Sequence, residues 1–482
     1  MTIRSGFDKL RCQQGYDDVI QEPCGTPEFP KENGVNRTLV RQVIYPAYRW
    51  IKRDNLFALL TDMRRTQRAS PDEIRDLQWS RLKLLLDHAC KNVPYYRRIF
   101  RDIGLDLGDL KRPEDLSALP LLRKQDIRNN LNDLIAENVD RRFLHPDETG
   151  GSTGQNLFFY GDRRARAAAL ANFARMNEWA GVRVGDRTAI LWGTRFRVSS
   201  SERIKAAIHN WVTNTVYISA YRMDAETLGK RLATLRRFRP DMLIGYPSSL
   251  YHLAGVVADS DRGRLKPRAI MTSGETLYDW QRSAIEEAFG SSIYNHYGCC
   301  EFGAMARECT VKDGLHIAAE LLFVETVPVA RSSSGEEIEE MVITGLDNYG
   351  MPLIRYAIED LGSITWEPCA CGLTLPRIKK LSGRVYDVIR APNGNFLGGT
   401  FWGHILKEGV ERFQVVQDKI DEVTISLVPT SEFSETVKAY VLEKVRDACG
   451  ETMKVQFEVL KDLPVTPAGK HRYVISKIPI RK

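Results

Sequence analysis

The stretch AIMTSGETLYDWQRSAIEEAFGSSIYNHY, residues 269–297, carries the pattern on which the fold turns. Ala269–Thr272 is a short apolar run, Leu277–Phe289 has apolar residues at helical spacing, and Ile293–Tyr297 is a second strand-like run. The alternation extends upstream. Thr188–Trp192, Thr215–Ile218 and Met242–Ile244 read as strands, with Ala225–Arg237 and Ser249–Ala258 as helices. Strands and helices taken in turn predict an α/β layered domain on a largely parallel sheet.

The texture changes on either side. Residues 1–36 are polar with Pro and Gly and read as an irregular arm. Leu39 to Phe100 is helical in pattern, and Trp79, Leu82, Leu84, Leu85, Leu86 and Ala89 are expected to form a core stripe before Pro94 ends the helix. Residues 119–136 read as a loop and a short helix, and Arg163–Trp179 as an alanine-rich helix. Leu321 to Ile364 is short strands and turns. After Arg384 the chain reads as a small α+β unit, with strands Phe413–Gln417, Glu422–Leu427 and Lys454–Val459 and a helix Ser434–Ala448. The expected domains are 1–382, with a helical region at about 39–136, and 383–482.

The 482 residues are 43% hydrophobic and 27% charged, which excludes a disordered chain, a collagen-like repeat and a disulfide-stapled scaffold. Lys and Arg exceed Asp and Glu by 69 − 62 = 7. That mild excess suits a solvated surface, or attraction for anionic substrates such as nucleotides. No basic block argues for nucleic acid. No apolar run reaches membrane-spanning length and the N-terminus lacks a signal-peptide core, so a cytoplasmic protein is expected. Nine cysteines, an odd number scattered along the chain, do not form a disulfide framework.

Five short motifs carry chemistry. Thr149-Gly150-Gly151-Ser152-Thr153-Gly154 is a donor-rich turn whose backbone can approach an anion, although an ordinary loop has the same composition. Tyr297-Gly298-Cys299-Cys300-Glu301 puts a carboxylate after a strand end, where it could hold Mg²⁺ beside a triphosphate or simply face solvent. Gly350-Met351-Pro352-Leu353-Ile354-Arg355-Tyr356 precedes Asp360. Gly383-Arg384-Val385-Tyr386-Asp387 marks the domain boundary, and Leu463–Lys470 is a Pro/Gly loop ending in lysine. Cys309, His316, Cys369 and Cys371 offer three thiolates and an imidazole. From the residues alone, a closed tetrahedral zinc site and buried free cysteines both remain open.

Taken in order, these motifs resemble the adenylate-forming superfamily of acyl- and aryl-CoA ligases. The closer resemblance is to the phenylacetate–CoA ligase group, in its CapK-like branch of capsular-polysaccharide-locus proteins. Leu82–Tyr96, Asp115–Ile127, Gly181–Gly193 and Gly245–Leu250 extend it, so that it covers about residues 75–482. It implies a large N-terminal α/β domain and a small mobile α+β C-terminal domain. It implies ATP-dependent activation of a carboxylic acid, with Tyr246 and Tyr294 compatible with an aryl substrate, and transfer to CoA as a thioester.

The resemblance also implies roles. Thr149, Gly150, Gly151, Ser152, Thr153 and Gly154 match the phosphate loop, with Ser152 and Thr153 on the β- and γ-phosphates. Gly274 and Glu275 border the adenine, Tyr297 lies beside it, and Asp360 accepts the ribose hydroxyls. Glu301 is the Mg²⁺ ligand, Arg384 reaches the ribose or phosphate from the hinge, and Lys470 bridges carboxylate and α-phosphate. Relatives with a similar Cys…His…Cys-x-Cys-Gly pattern bind structural Zn²⁺, which favours zinc on Cys309, His316, Cys369 and Cys371. Acid-pocket candidates are Tyr246, Tyr294 and His296, each of which packing would explain as well.

Three departures stand out. Gln155 and Asn156 replace the usual Lys and Pro after the phosphate loop. Ala357, Ile358 and Glu359 replace Arg, Thr and Gly before Asp360, and Tyr386 replaces an acid at the hinge. They leave two further readings open. One is adenylation with transfer to a carrier protein, an amine or a sugar hydroxyl; the other is a nucleotide-binding paralogue without turnover. Oligomeric state, including a homodimer, is not fixed by the sequence.

Overall fold

The computed structural model describes residues 36–149, 157–193, 200–220, 225–257, 262–331, 337–384, 388–406, 408–464 and 471–478. Its strands in chain order are β1 His145–Glu148, β2 Phe158–Gly161, β3 Thr188–Trp192, β4 Thr215–Ser219, β5 Met242–Gly245, β6 Ala269–Thr272 and β7 Ile293–Cys299. They continue with β8 Gly303–Glu308, β9 Leu315–Ile317, β10 Leu322–Arg331, β11 Glu337–Gly345, β12 Tyr356–Thr365 and β13 Arg377–Arg384. The last six are β14 Ile389–Arg390, β15 Phe396–Leu397, β16 Val410–Lys419, β17 Glu422–Pro429, β18 Lys454–Val459 and β19 Val474–Ser476.

Eleven strands form one sheet in the order β10-β11-β12-β13-β9-β8-β7-β6-β5-β3-β4. From β7 to β4 all pairings are parallel; from β10 to β7 all are antiparallel. The expected parallel sheet is therefore half of a mixed one, and β7 is its junction. Parallel strands need cover on both faces. Leu228, Leu232, Leu250, Leu253, Ile285 and Phe289 cover one, while Val182 and its neighbours pack with Met242, Ile244 and Met271 on the other.

Local signals place the elements. Ser70 accepts from the Glu73 amide while the Glu73 carboxylate accepts from the Ser70 amide, a reciprocal cap that starts the helix Pro71–Asn92. Of the core stripe expected along it, Leu84 is exposed. Pro94 does more than stop that helix, because it occupies the first turn of the next, Pro94–Ile103. The alanine-rich helix Arg163–Trp179 has the expected bounds, capped by Asp162. β13 runs through Gly383 and ends at Arg384, so both residues lie in the large sheet, with Arg384 opposite Asp360. Beyond it, β18-β17-β16-β19 form a separate four-stranded sheet backed by the helix Glu435–Cys449. Trp402, Phe413, Val441 and Val445 fill its core, and Tyr278 of the large sheet's side joins them.

Candidate active site

The carboxyl ends of parallel strands are where open α/β sheets bind ligands. Three expected site segments lie there. Tyr246 follows β5, Ser273-Gly274-Glu275 follows β6, and Tyr297 lies on β7 two residues past Asn295, where the parallel pairing with β6 ends. Gly274 has φ +83°, a left-handed turn that only glycine adopts without strain. A Cβ on Gly298 would stand 2.3 Å from the Gly303 carbonyl oxygen, so the tight β7–β8 hairpin admits no side chain there.

At this junction the Tyr297 hydroxyl donates to Asp360 Oδ2 at 2.6 Å, and Arg384 Nε stands 3.6 Å from Asp360 Oδ1. Burial, reinforced by the Asp360 charge, holds the Tyr297 phenol well above its ordinary pKa, so it acts as a donor. Glu301 accepts from the Tyr356 hydroxyl at 2.9 Å. Three motifs far apart in the chain thus meet around β7 and β12. Glu301, a single carboxylate, suits an ion that takes its other oxygens from phosphate and water.

Glu275 has a role that its position in the sequence did not reveal. Its two oxygens accept the Ser248 amide at 3.0 Å and the His471 amide at 3.0 Å. It therefore ties the β6 end to the C-terminal segment next to Lys470. Gln281 adds a bond from its side-chain amide to the Tyr473 hydroxyl at 3.0 Å. Lys470 lies outside the described residues, as do Gly150, Gly151, Ser152, Thr153, Gly154, Gln155, Asn156 and Tyr386. Thr149 is described, and it closes the base of its loop. Its amide donates to the Leu157 carbonyl at 3.0 Å, and its hydroxyl accepts from the Leu157 amide at 3.1 Å. Tyr96 is a further positioning residue: its hydroxyl donates to the Pro352 carbonyl and accepts from the Ile354 amide, fixing the chain that leads into Tyr356.

The acid-pocket candidates sit on the same sheet. Tyr246 lies against Trp192 with ring centroids 4.1 Å apart. Tyr294 is buried with Met242, Ile244 and Met271. His296 is buried edge-on to Phe173, and its Nδ1 accepts from Arg307 Nε at 3.2 Å. Burial and then the Arg307 charge push its pKa well down, so it is a neutral acceptor.

Cys309, His316, Cys369 and Cys371 come together with all ligand atoms within 4.8 Å of one another. Cys309 Sγ and Cys369 Sγ are 3.8 Å apart, and Cys371 Sγ is 3.3 Å from His316 Nε2. Two thiolates bound at about 2.3 Å to a tetrahedral zinc stand about 3.8 Å apart. His316 Nδ1 donates to the Leu375 carbonyl at 3.1 Å, which turns Nε2 toward the sulfurs. The donor set and its spacing fit a closed zinc site.

The chain is similar in sequence and fold to several known proteins. Residues 392–477 match the CapK C-terminal domain family. The chain is 26% identical over 416 residues to Protein CapK of Staphylococcus aureus, across 84% of this chain and 90% of that protein. It is 27% identical over 345 residues to phenylacetate-coenzyme A ligase of Pseudomonas putida, across 69% of this chain and 74% of the ligase. A crystal structure of 2-hydroxyisobutyryl-CoA ligase in the postadenylation state superposes with a TM-score of 0.69 at 20% identity, covering 86% of this chain and 91% of the ligase.

The chain is CapK-like and phenylacetate–CoA ligase-like, with the adenylate-forming fold.

In this CapK-like chain the departure at Glu359 has a visible backbone consequence. Glu359 has φ +69°, the left-handed region where the superfamily's glycine would sit without strain. Its carboxylate forms an ion pair with Lys124. The carboxylate of Asp360 next to it still faces Tyr297 and Arg384.

Proposed function

We propose that this protein activates a carboxylic acid with ATP, releasing pyrophosphate, and passes the acyl group from the adenylate to CoA. The observation that carries the reading is the meeting of Tyr297, Asp360 and Arg384 at the carboxyl end of the parallel strands. The arrangement suits a nucleoside: Asp360 offers carboxylate oxygens to ribose hydroxyls, and Arg384 offers a cation to ribose or phosphate. Mg²⁺ at Glu301 would neutralise phosphate charge. Lys470 would stabilise charge building on the α-phosphate, an interaction that strengthens when water is excluded. Glu275, by holding the His471 amide, would keep the Lys470 loop over the strand ends during adenylation. Residues 383–482 would then rotate about the Arg384 hinge and admit the thiol, a hinge motion. Zn²⁺ on Cys309, His316, Cys369 and Cys371 would tie the loop after β8 to the segment before β13, with no open position for catalysis.

Incubation with ATP, Mg²⁺ and a panel of aryl and alkyl acids tests the reading through acid-dependent pyrophosphate release. Release with at least one acid is expected. ATP binding without release for any acid would favour the paralogue without turnover. A second reading rests on the CapK likeness along 84% of the chain. In it the adenylate forms but the acceptor is a carrier protein, an amine or a sugar hydroxyl. Pyrophosphate release without a CoA thioester would support it. A cytoplasmic location accords with the absence, among the described residues, of a helix long and apolar enough to cross a membrane.

A further inference from the structure

The first described helical turns, Arg37–Leu39, Val40–Ile44 and Tyr45–Ile51, run on without a break and are apolar on two faces. Val40 and Tyr45 point inward and join the main core. Leu39, Val43, Trp50 and Ile51 point outward, and Trp50 is 81% exposed. A contiguous group of exposed large apolar side chains marks an interaction surface. The helix Ser200–Val212 lies alongside, with Tyr48 and His209 in contact (3.4 Å). It repeats the pattern with Ile204, Ile208 and Trp211 exposed, one turn apart. It leads into β4, the edge strand of the sheet, whose Tyr217 is exposed as well.

Charge identifies what would cover this surface. Residues 36–53 contain no Asp or Glu, and the sequence 200–220 contains one, Glu202, in the first turn of its helix. Their described cations divide into two groups. Arg37, Arg41 and Arg49 pair with Asp241, Asp186 and Asp54. Lys52 stands over the Tyr48 ring (5.6 Å), and Lys52, Arg53 and Lys205 have no carboxylate partner among the described residues. Tryptophan and aliphatic side chains beside cations that lack a carboxylate partner among the described residues match the boundary of an anionic bilayer, where the apolar groups enter the acyl edge and the cations meet phosphate. A second copy of the chain fits less well, because a two-fold interface would bring the same cations face to face.

We propose that the outer faces of Arg37–Ile51 and Ser200–Val212 form a peripheral docking surface for anionic lipid bilayers. The surface lies at the β4 edge, four strand spacings from β7, or about 19 Å across the sheet. Docking there leaves the candidate active site open to solvent.

Flotation of the full chain with vesicles tests this. Vesicles of phosphatidylcholine and phosphatidylglycerol are expected to carry the protein, and vesicles of phosphatidylcholine alone to carry far less. Lys52→Glu should lower vesicle affinity by about fivefold or more. Trp50→Ser with Ile51→Ser should lower it by about tenfold or more. Both should keep the wild-type melting temperature, since these side chains are exposed. Absence of flotation with anionic vesicles would overturn the proposal, as would flotation that neither variant changes. Sedimentation velocity gives the rival outcome: a dimer dissolved by Trp50→Ser would assign the surface to a second copy. Vesicle binding that appears only after residues 1–35 are removed would assign it to the chain's own N-terminal segment.

Discussion

Glu359 concentrates a conflict between backbone and side chain in one residue. Its φ of +69° costs a non-glycine residue about 1–2 kcal/mol. Its half-buried pair with Lys124 returns about 1 kcal/mol or less. Glu359→Gly is therefore expected to melt at or above the wild-type temperature. Glu359→Ala, which keeps the strain and loses the pair, should melt below it. Thermal melts of the three proteins check the order, and Ala at or above Gly would refute the strain argument. Lys470→Ala belongs at this scale too. It should retain ATP binding in calorimetry while losing most acyl-adenylate formation. Near-normal adenylate in that variant would remove the role assigned to Lys470. The positions of Glu275 and Asp360 stood out by motif order, but their partners did not. Glu275 binds an amide 196 positions away, and Asp360 a phenol 63 positions away. Only the folded sheet brings such pairs together.

At the scale of elements, legibility followed length and period. The helix Arg163–Trp179 and the strand β18 have the bounds that their patterns predict. β19 is three residues long, too short for alternation to show. The antiparallel half of the large sheet was legible only as short strands and turns, since strand order is not written in local pattern. The cysteine cluster was legible as a donor set, but its geometry depends on β8–β9 and the turn before β13 folding together. About one tightly held zinc per chain is expected in freshly purified protein. Cys369→Ser should lower both zinc content and melting temperature, by the several kcal/mol that a closed zinc site contributes. Metal analysis showing no zinc in wild-type protein would contradict this.

Two histidines, the buried His471 and the partly buried His252, lie where the C-terminal segment meets the large sheet's side. His252 and His471 both have pKa values lowered to about 4, chiefly by burial, with Arg412 adding to the effect and Asp462 opposing it. His471 Nε2 donates to the Phe413 carbonyl at 2.7 Å, while its Nδ1 is buried without a hydrogen-bond partner among the described residues. Both are therefore neutral when folded. A folded pKa below the unfolded value of about 6.5 means that stability is complete above pH 6.5 and declines as pH falls toward 4. Thermal melts between pH 8 and pH 4.5 should show that loss, and His471→Gln should flatten it. A pH-independent melting temperature across that window would show that these histidines do not control docking of the small domain. Such docking was visible in the sequence only as a change of texture near Gly383. The contacts that make it, Glu275 with His471 and Gln281 with Tyr473, lie on loops without a local signature.

Acyl activation is the claim that joins these scales, and mass spectrometry of the reaction products tests it most directly. Zinc-replete protein is incubated with ATP, Mg²⁺, CoA and a pooled panel of aryl and alkyl acids. The account predicts an acyl adenylate and a CoA thioester of at least one acid, both lost in Lys470→Ala. Protein that binds ATP yet yields neither product with any acid would contradict it.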